Sequence, residues 1–301
     1  MRSTLTLAIA IACPTMSTAQ VNAAAMRLRV VTGFNVPESA RYDAERDVYY
    51  VSNVTGHPMI EDNSGYISVM NPDGDIVTPN FIAGGRFGVT LHAPKGLALV
   101  GDTLWVTDIN RIRGFHRDTG RPLAEIDLVP AGAGFLNDIT VAPDGTLYVS
   151  DTGFRLDSLR RVRPGAPGRI YMVVRPSAVS VAVAGDTLRA PNGVLWDRAD
   201  DRLLIGSFMG RSILAWHPER GLNHVASGPG GYDGIERVPG LGVVVTSQDG
   251  RAVVLLQGDR TVPLIEGVED MGDLGVDTRR RRLAIPRLDT NLLEIWQLPP
   301  R

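Results

Sequence analysis

Six polar residues recur at one place in a local pattern: Glu38 in Pro37-Glu38-Ser39, Lys95 in Pro94-Lys95-Gly96, Asn137 in Leu136-Asn137-Asp138, Asn192 in Pro191-Asn192-Gly193, Asp233 in Tyr232-Asp233-Gly234 and Asp273 in Gly272-Asp273-Leu274. If they converge, three carboxylates, two amides and one ammonium share one confined space. Burying such a set is costly unless the charges are paired or a cation is bound. Hard oxygen donors of this kind suit one divalent cation, Ca²⁺ first, then Mg²⁺ or Mn²⁺, with Zn²⁺ admissible and thiophilic metals excluded. The same polar residues could instead do no more than hydrogen-bond around a water-filled channel.

What must position these residues is a repeat. The markers return every 40 to 57 residues or so, the period of propeller blades. About ten residues after each marker comes a short apolar strand: Val48-Tyr49-Tyr50-Val51, Leu104-Trp105-Val106, Leu147-Tyr148-Val149, Leu203-Leu204-Ile205, Val243-Val244-Val245 and Leu283-Ala284-Ile285. A further strand follows in each copy, beginning at Tyr66, Ile112, Arg169, Ser212, Ala252 and Leu292. The spacing predicts an all-β, six-bladed β-propeller over 20–301, one domain with a central channel. A strand-like stretch, Leu28 to Thr32, precedes the first marker and is expected to complete the last blade. Uneven steps place insertions in blades one and three, the latter between Phe154 and Arg169, as a lid or as solvated loops. With 33 Gly and 20 Pro, the chain has turns enough for this architecture.

The phase and wording of several repeats resemble the family of senescence marker protein (regucalcin), gluconolactonases and the luciferin-regenerating enzyme. The resemblance runs from about Val36 to Leu298. It is carried by Pro37-Glu38-Ser39-Ala40-Arg41-Tyr42-Asp43, by Asn137-Asp138 ahead of Pro143-Asp144-Gly145-Thr146-Leu147-Tyr148-Val149, by Pro191-Asn192-Gly193-Val194 and by Tyr232-Asp233-Gly234-Ile235. It implies that Glu38, Asn192 and Asp233 ligate the cation, that Asn137 contacts substrate or metal-bound water, and that Asp233 is also the general base. At two places the chain departs from the family's pattern: Phe135 stands where an Arg usually binds substrate hydroxyls, and Lys95 lies outside the usual set. Lys95 and Asp273 join Asn137 as candidate substrate contacts, although neutralising Asp273 or Glu38 is the favoured reading of Lys95 over charge stabilisation of the reaction.

The expected activity is hydrolysis of a small-molecule lactone or related ester, the cation polarising the carbonyl and activating water. The alternative is a non-catalytic propeller resembling the NHL-repeat proteins, which would bind a protein, peptide or glycan; a strictosidine-synthase-like or paraoxonase-like hydrolase is a third option. The sequence holds no G-x-S-x-G elbow, P-loop, dinucleotide fingerprint or HExxH pair. Of the five histidines, His57 and His92 are expected near the channel mouth. A net charge of -2 offers no footprint for nucleic acid.

Residues 1–19 read as a signal peptide: Arg2, an apolar run from Leu5 to Ala12, and a small-residue cleavage site ending at Ala19. Lipoprotein processing at Cys13 is the alternative. Cys13 is the only cysteine, so the mature chain has no thiol and no disulfide. No later stretch is apolar for long enough to span a bilayer. The protein is expected in the periplasm or outside the cell.

Overall fold

The computed structural model describes residues 24–174 and 178–300. The expected signal segment, 1–19, and Cys13 lie outside the described residues. The chain is all-β and strongly antiparallel; its helical content among the described residues is two single 3-10 turns, Val129–Ala131 and Asp186–Leu188.

Each repeat becomes a short meander of strands. β1 (Met26–Val31) comes first. The first repeat is β2 (Pro37–Asp43), β3 (Val48–Asn53), β4 (Tyr66–Met70) and β5 (Ile76–Ala83); the second is β6 (Pro94–Val100), β7 (Thr103–Asp108), β8 (Arg111–His116) and β9 (Pro122–Asp127). The third is β10 (Leu136–Val141) and β11 (Leu147–Asp151), then a separate hairpin of β12 (Phe154–Leu156) and β13 (Val162–Pro164), then β14 (Arg169–Val174) and β15 (Ala178–Ala184). The fourth is β16 (Pro191–Asp197), β17 (Arg202–Ser207), β18 (Ser212–His217) and β19 (Gly221–Ser227); the fifth is β20 (Tyr232–Val238), β21 (Gly242–Ser247), β22 (Ala252–Gln257) and β23 (Arg260–Glu266). The last is β24 (Gly275–Asp277), β25 (Arg282–Arg287) and β26 (Leu292–Gln297), and β1 pairs antiparallel with β26 as the fourth strand of that sheet. The fourth and fifth repeats form one eight-stranded sheet because β19 and β23 meet at a single parallel bridge, Ser227 with Arg260.

The initial strands follow one another in cyclic order: β2 against β6, then β10, β16, β20 and β24, which returns to β2. Apolar clusters fill the spaces between successive sheets. Tyr50 and Ile67 pack on Leu97 and Phe115, Trp105 on Leu136 and Tyr171, and Tyr148 stacks on Trp196 at 5.1 Å between centroids. Leu204 packs on Ile235 and Val245, Val244 and Val253 on Leu274 and Leu283, and Val51 on Ala284 and Leu293 closes the cycle. A four-stranded sheet has two apolar faces to cover, and its inner strands, such as β3, β7, β11, β17 and β21, are buried on nearly every residue while the outermost are largely exposed; stacking of successive sheets covers both faces.

A shared irregularity fixes the phase. Pro37 pairs with Asn53, but the register slips by one before Ala40 pairs with Val51. The same slip follows Pro94, Leu136, Pro191 and Tyr232. Two residues per repeat are thus left out of the ladder, and the first of them is the marker. Such bulges re-aim side chains, here toward the common axis.

Candidate active site

Glu38, Lys95, Asn137, Asn192 and Asp233 all line one cavity of about 220 Å³. Each is buried, none more than 6% exposed. Their backbones are held by the neighbouring repeat. The Thr107 hydroxyl donates to the Asn137 carbonyl at 2.5 Å and that of Ser150 to the Asn192 carbonyl at 2.6 Å. Gly193 is required by this closeness: a Cβ there would lie 1.8 Å from the Asp233 carbonyl oxygen.

Asp273 does not line the cavity, and the expectation that it shares the ring is corrected by register. Met271 bridges Arg287, and Gly275 pairs with Ala284, so the residue equivalent to Glu38 and Asp233 is Gly272. The Thr246 hydroxyl donates to Gly272 O at 3.1 Å, as Thr107 does to Asn137 O. Asp273 comes one residue later, where it accepts a 2.6 Å hydrogen bond from Ser39 Oγ and has Arg41 4.0 Å away. Arg41 also donates to the Leu97 carbonyl at 2.8 Å and to Glu236. Asp138 accepts from the Ile139 and Val194 amides, both at 2.7 Å. Two layers therefore exist: the cavity ring, and a hydrogen-bonded set of Arg41, Asp138, Glu236 and Asp273 further along the same strands.

The cavity ring is short of partners. Among the described residues lining the cavity, Glu38 Oε2, Asn192 Oδ1 and Asp233 Oδ1 are buried oxygens with no hydrogen bond; outside it, Asp273 Oδ1 is another. Burial raises the Glu38 carboxyl well above its ordinary value, and the charges of Asp233 and Asp273 add to this while Lys95 opposes it. Burial together with Asp273 pushes Asp233 up to about 8, although hydrogen bonds from Asn192 and Gln248 pull it down. Burial lifts Asp273 to about 7, with Arg41 and Ser39 countering. Arg41 is held above its ordinary value, since Glu236, Asp273 and Asp138 outweigh its burial.

Three buried oxygens from two carboxylates and an amide are a donor set that a hard divalent cation satisfies. Among the described residues no three His, Cys, Asp or Glu side chains cluster as metal ligands; this set includes Asn192 in place of a third acid.

Lys95 is held away from that role. Its Nζ donates to the carbonyls of Pro58 and Ala93, both at 3.2 Å, and lies 4.5 Å from the centre of the Phe135 ring. Burial pulls its ammonium below the ordinary value, with Glu38 and Asp108 opposing. His57 and His92 do not line the cavity: their Nδ1 atoms accept from the Met59 and Asn63 amides at 3.2 and 3.0 Å.

The rest of the wall went unread in the sequence. Val54, Thr152, Phe208 and Leu288 line the cavity, and each is the residue immediately after the second strand of its repeat. That position pairs the two strands' mouths, so the periodicity that located the markers also held this second ring. Phe154, at the start of the β12–β13 hairpin, shows that the insertion in the third repeat walls the cavity.

By sequence, the chain matches no family model and no curated protein. By structure it is similar to a protein provisionally called a gluconolactonase, at TM-score 0.64 and 18% identity, covering 92% of each chain. It is likewise similar to a gluconolactonase from Xanthomonas campestris, at TM-score 0.62 and 17% identity over 91% of this chain and 92% of that one. A luciferin-regenerating enzyme matches at TM-score 0.64 and 12% identity over 91% and 97%. The structural neighbours are therefore the same gluconolactonase and luciferin-regenerating propellers that the Glu38, Asn192 and Asp233 motifs resemble, and they share with this chain its all-β, propeller-like fold.

Proposed function

We propose that this protein is a six-bladed propeller, closed by β1 in the last sheet, and a divalent-cation-dependent hydrolase of a lactone or related ester. The observation that carries this reading is the set of unpartnered buried oxygens on Glu38, Asn192 and Asp233 inside one cavity. A scaffold with no ligand there would bear the cost of desolvating two carboxylates without return. The likeness in fold to gluconolactonases supports the class of reaction.

Glu38, Asn192 and Asp233 would hold the cation, with Ca²⁺ the first candidate. When bound, it supplies a concentrated positive charge that polarises a carbonyl and acidifies water. Asp233 Oδ1, unpartnered and facing the cavity, receives the proton of the attacking water. Asn192 and Gln248 stand beside the Asp233 carboxyl and favour its charged form. The Asn137 amide, donating to Thr152 Oγ1 at 3.4 Å, presents its carbonyl oxygen to substrate or to water. The ammonium of Lys95, fixed by two carbonyls and a phenyl face, adds positive potential at the rim. Asp273 acts by setting the charge around Asp233 and does not contact substrate.

Export to the periplasm or the exterior belongs to the same proposal and rests on the sequence of 1–19. No helix among the described residues is long and apolar enough to cross a membrane. The deciding experiment is calcium analysis of purified protein combined with turnover of a lactone panel. One cation per chain and turnover abolished by chelation are expected; turnover that survives chelation and the Asp233→Ala substitution would end the hydrolase reading.

A further inference from the structure

The cavity's polar atoms differ in kind from what a polyhydroxylated substrate needs. All three unpartnered oxygens belong to the proposed cation set. The ring's N–H donors are partly engaged: Lys95 Nζ gives two of its three to carbonyls, and Asn137 gives one of its two to Thr152. Around them the wall is apolar, made by Val36, Val54, Phe135, Phe154, Phe208 and Leu288. A sugar ring placed here would lay most of its hydroxyl groups against this apolar wall, beyond the few polar atoms of the ring, at a cost that sites of this sort use to reject ligands.

A second cleft, of about 270 Å³, opens on the other side of Phe154 and Thr152, which line both spaces. Its wall is largely Pro164, Pro167, Ala190 and Met209, and its charged members, Asp186 and Arg189, are exposed. Phe154 stands edge-on to Phe135, 5.5 Å between centroids, so one aromatic corner separates the cation ring from the side cleft.

We propose that the substrate is an apolar lactone or cyclic ester, its carbonyl at the Glu38, Asn192 and Asp233 ring and its alkyl or aryl substituent lying along Phe154 toward the cleft beside Met209. This rests on the hydrolase reading for the carbonyl's place; the apolar recognition rests on the wall.

Binding of unreactive lactams separates the two. Calorimetric titration of the calcium-supplied full chain with δ-lactams bearing methyl, butyl and hexyl substituents, and with gluconolactam, reads recognition without turnover. Each added methylene should tighten binding about fourfold until the cleft is filled, the worth of burying one CH₂. The hexyl lactam should bind at least thirtyfold more tightly than gluconolactam. Phe154→Ser should weaken the hexyl lactam at least tenfold and leave gluconolactam unchanged, while Phe154→Leu should keep the alkyl preference; thermal melts confirm that both variants fold. Gluconolactam binding as tightly as the hexyl lactam, no binding by any lactam, or equal losses for both ligands in Phe154→Ser would overturn the proposal. Alkyl preference without turnover of the matching lactones would keep the apolar recognition and remove the hydrolase reading instead.

Discussion

The cavity ring of Glu38, Asn192 and Asp233 and the layer of Arg41, Asp138, Glu236 and Asp273 lie within a few residues of each other on the same first strands, yet they treat buried charge in opposite ways. In the second layer a guanidinium sits among the acids, backbone amides reach both oxygens of Asp138, and Ser39 reaches Asp273. In the first, each of the three side chains keeps an oxygen with no hydrogen bond, as Asp273 Oδ1 does in the second, but among the described residues no arginine lines the cavity to face them. Acidic burial by itself therefore marks no site. What separates scaffold from binding site here is whether the protein supplies the counter-charge itself, since burial of an uncompensated carboxylate asks for a ligand.

The comparison is broken most sharply by removing one member from each layer. Asp233→Ala should lower kcat/KM on an accepted lactone by about 10³-fold, and abolish calcium retention, while the melting temperature in chelator rises or holds because a repelling charge has gone. Steady-state kinetics with metal analysis checks this; a melting temperature that collapses would make Asp233 a structural residue. Arg41→Met should act the other way. Leaving Glu236 and Asp273 without their cation should cost about 3–5 kcal/mol of stability, read by denaturant unfolding, with one calcium still bound per folded chain.

Both layers respond to pH in the same direction. The folded carboxyls of Glu38, Asp138, Asp233 and Asp273 are raised, to about 8 for Asp233 and about 7 for Asp273, against unfolded values of about 4. Folded chain thus binds these protons more tightly than unfolded chain. Their contribution to stability is fully present below about pH 4 and is lost as pH rises through about 7 to 8. In chelator, the melting temperature should fall by several degrees between pH 5.5 and pH 9. Added Ca²⁺ should restore more at pH 9 than at pH 5.5, because below about 8 it must displace the Asp233 proton. An identical calcium effect at both pH values would remove the two carboxylates from the cation set. The smallest effect belongs to Lys95: held by carbonyls and the Phe135 face, its change to Met should lower turnover less than tenfold, and a larger loss would move it into the chemistry.

Much of this arrangement was legible in the chain because the repeat is short-range at each copy. A polar marker followed about ten residues later by a short apolar strand can be overlaid six times, and five markers, Glu38, Lys95, Asn137, Asn192 and Asp233, do line one cavity. Asp273 was misplaced because Met271-Gly272-Asp273 offers an acid one residue later than Tyr232-Asp233-Gly234, and aligning like side chains hid the slip that strand pairing reveals. A residue's type was followed where the ladder's register decides. Phe154 escaped for another reason. It lies in an insertion, with no counterpart in the other repeats to give its phase.

Local chemistry and periodicity, both written in the order of residues, determined the strands, the sheets and which polar residues recur at the start of each repeat. Tertiary structure alone decided which of the buried acids have a guanidinium or backbone amides beside them and which do not. That distinction depends on partners supplied from other repeats, Arg41 to Asp273, Ser39 to Asp273, Val194 to Asp138, across separations of 56 to more than 200 residues. Hydrogen bonds and charge pairs act over a few ångströms of space, whatever the distance along the chain.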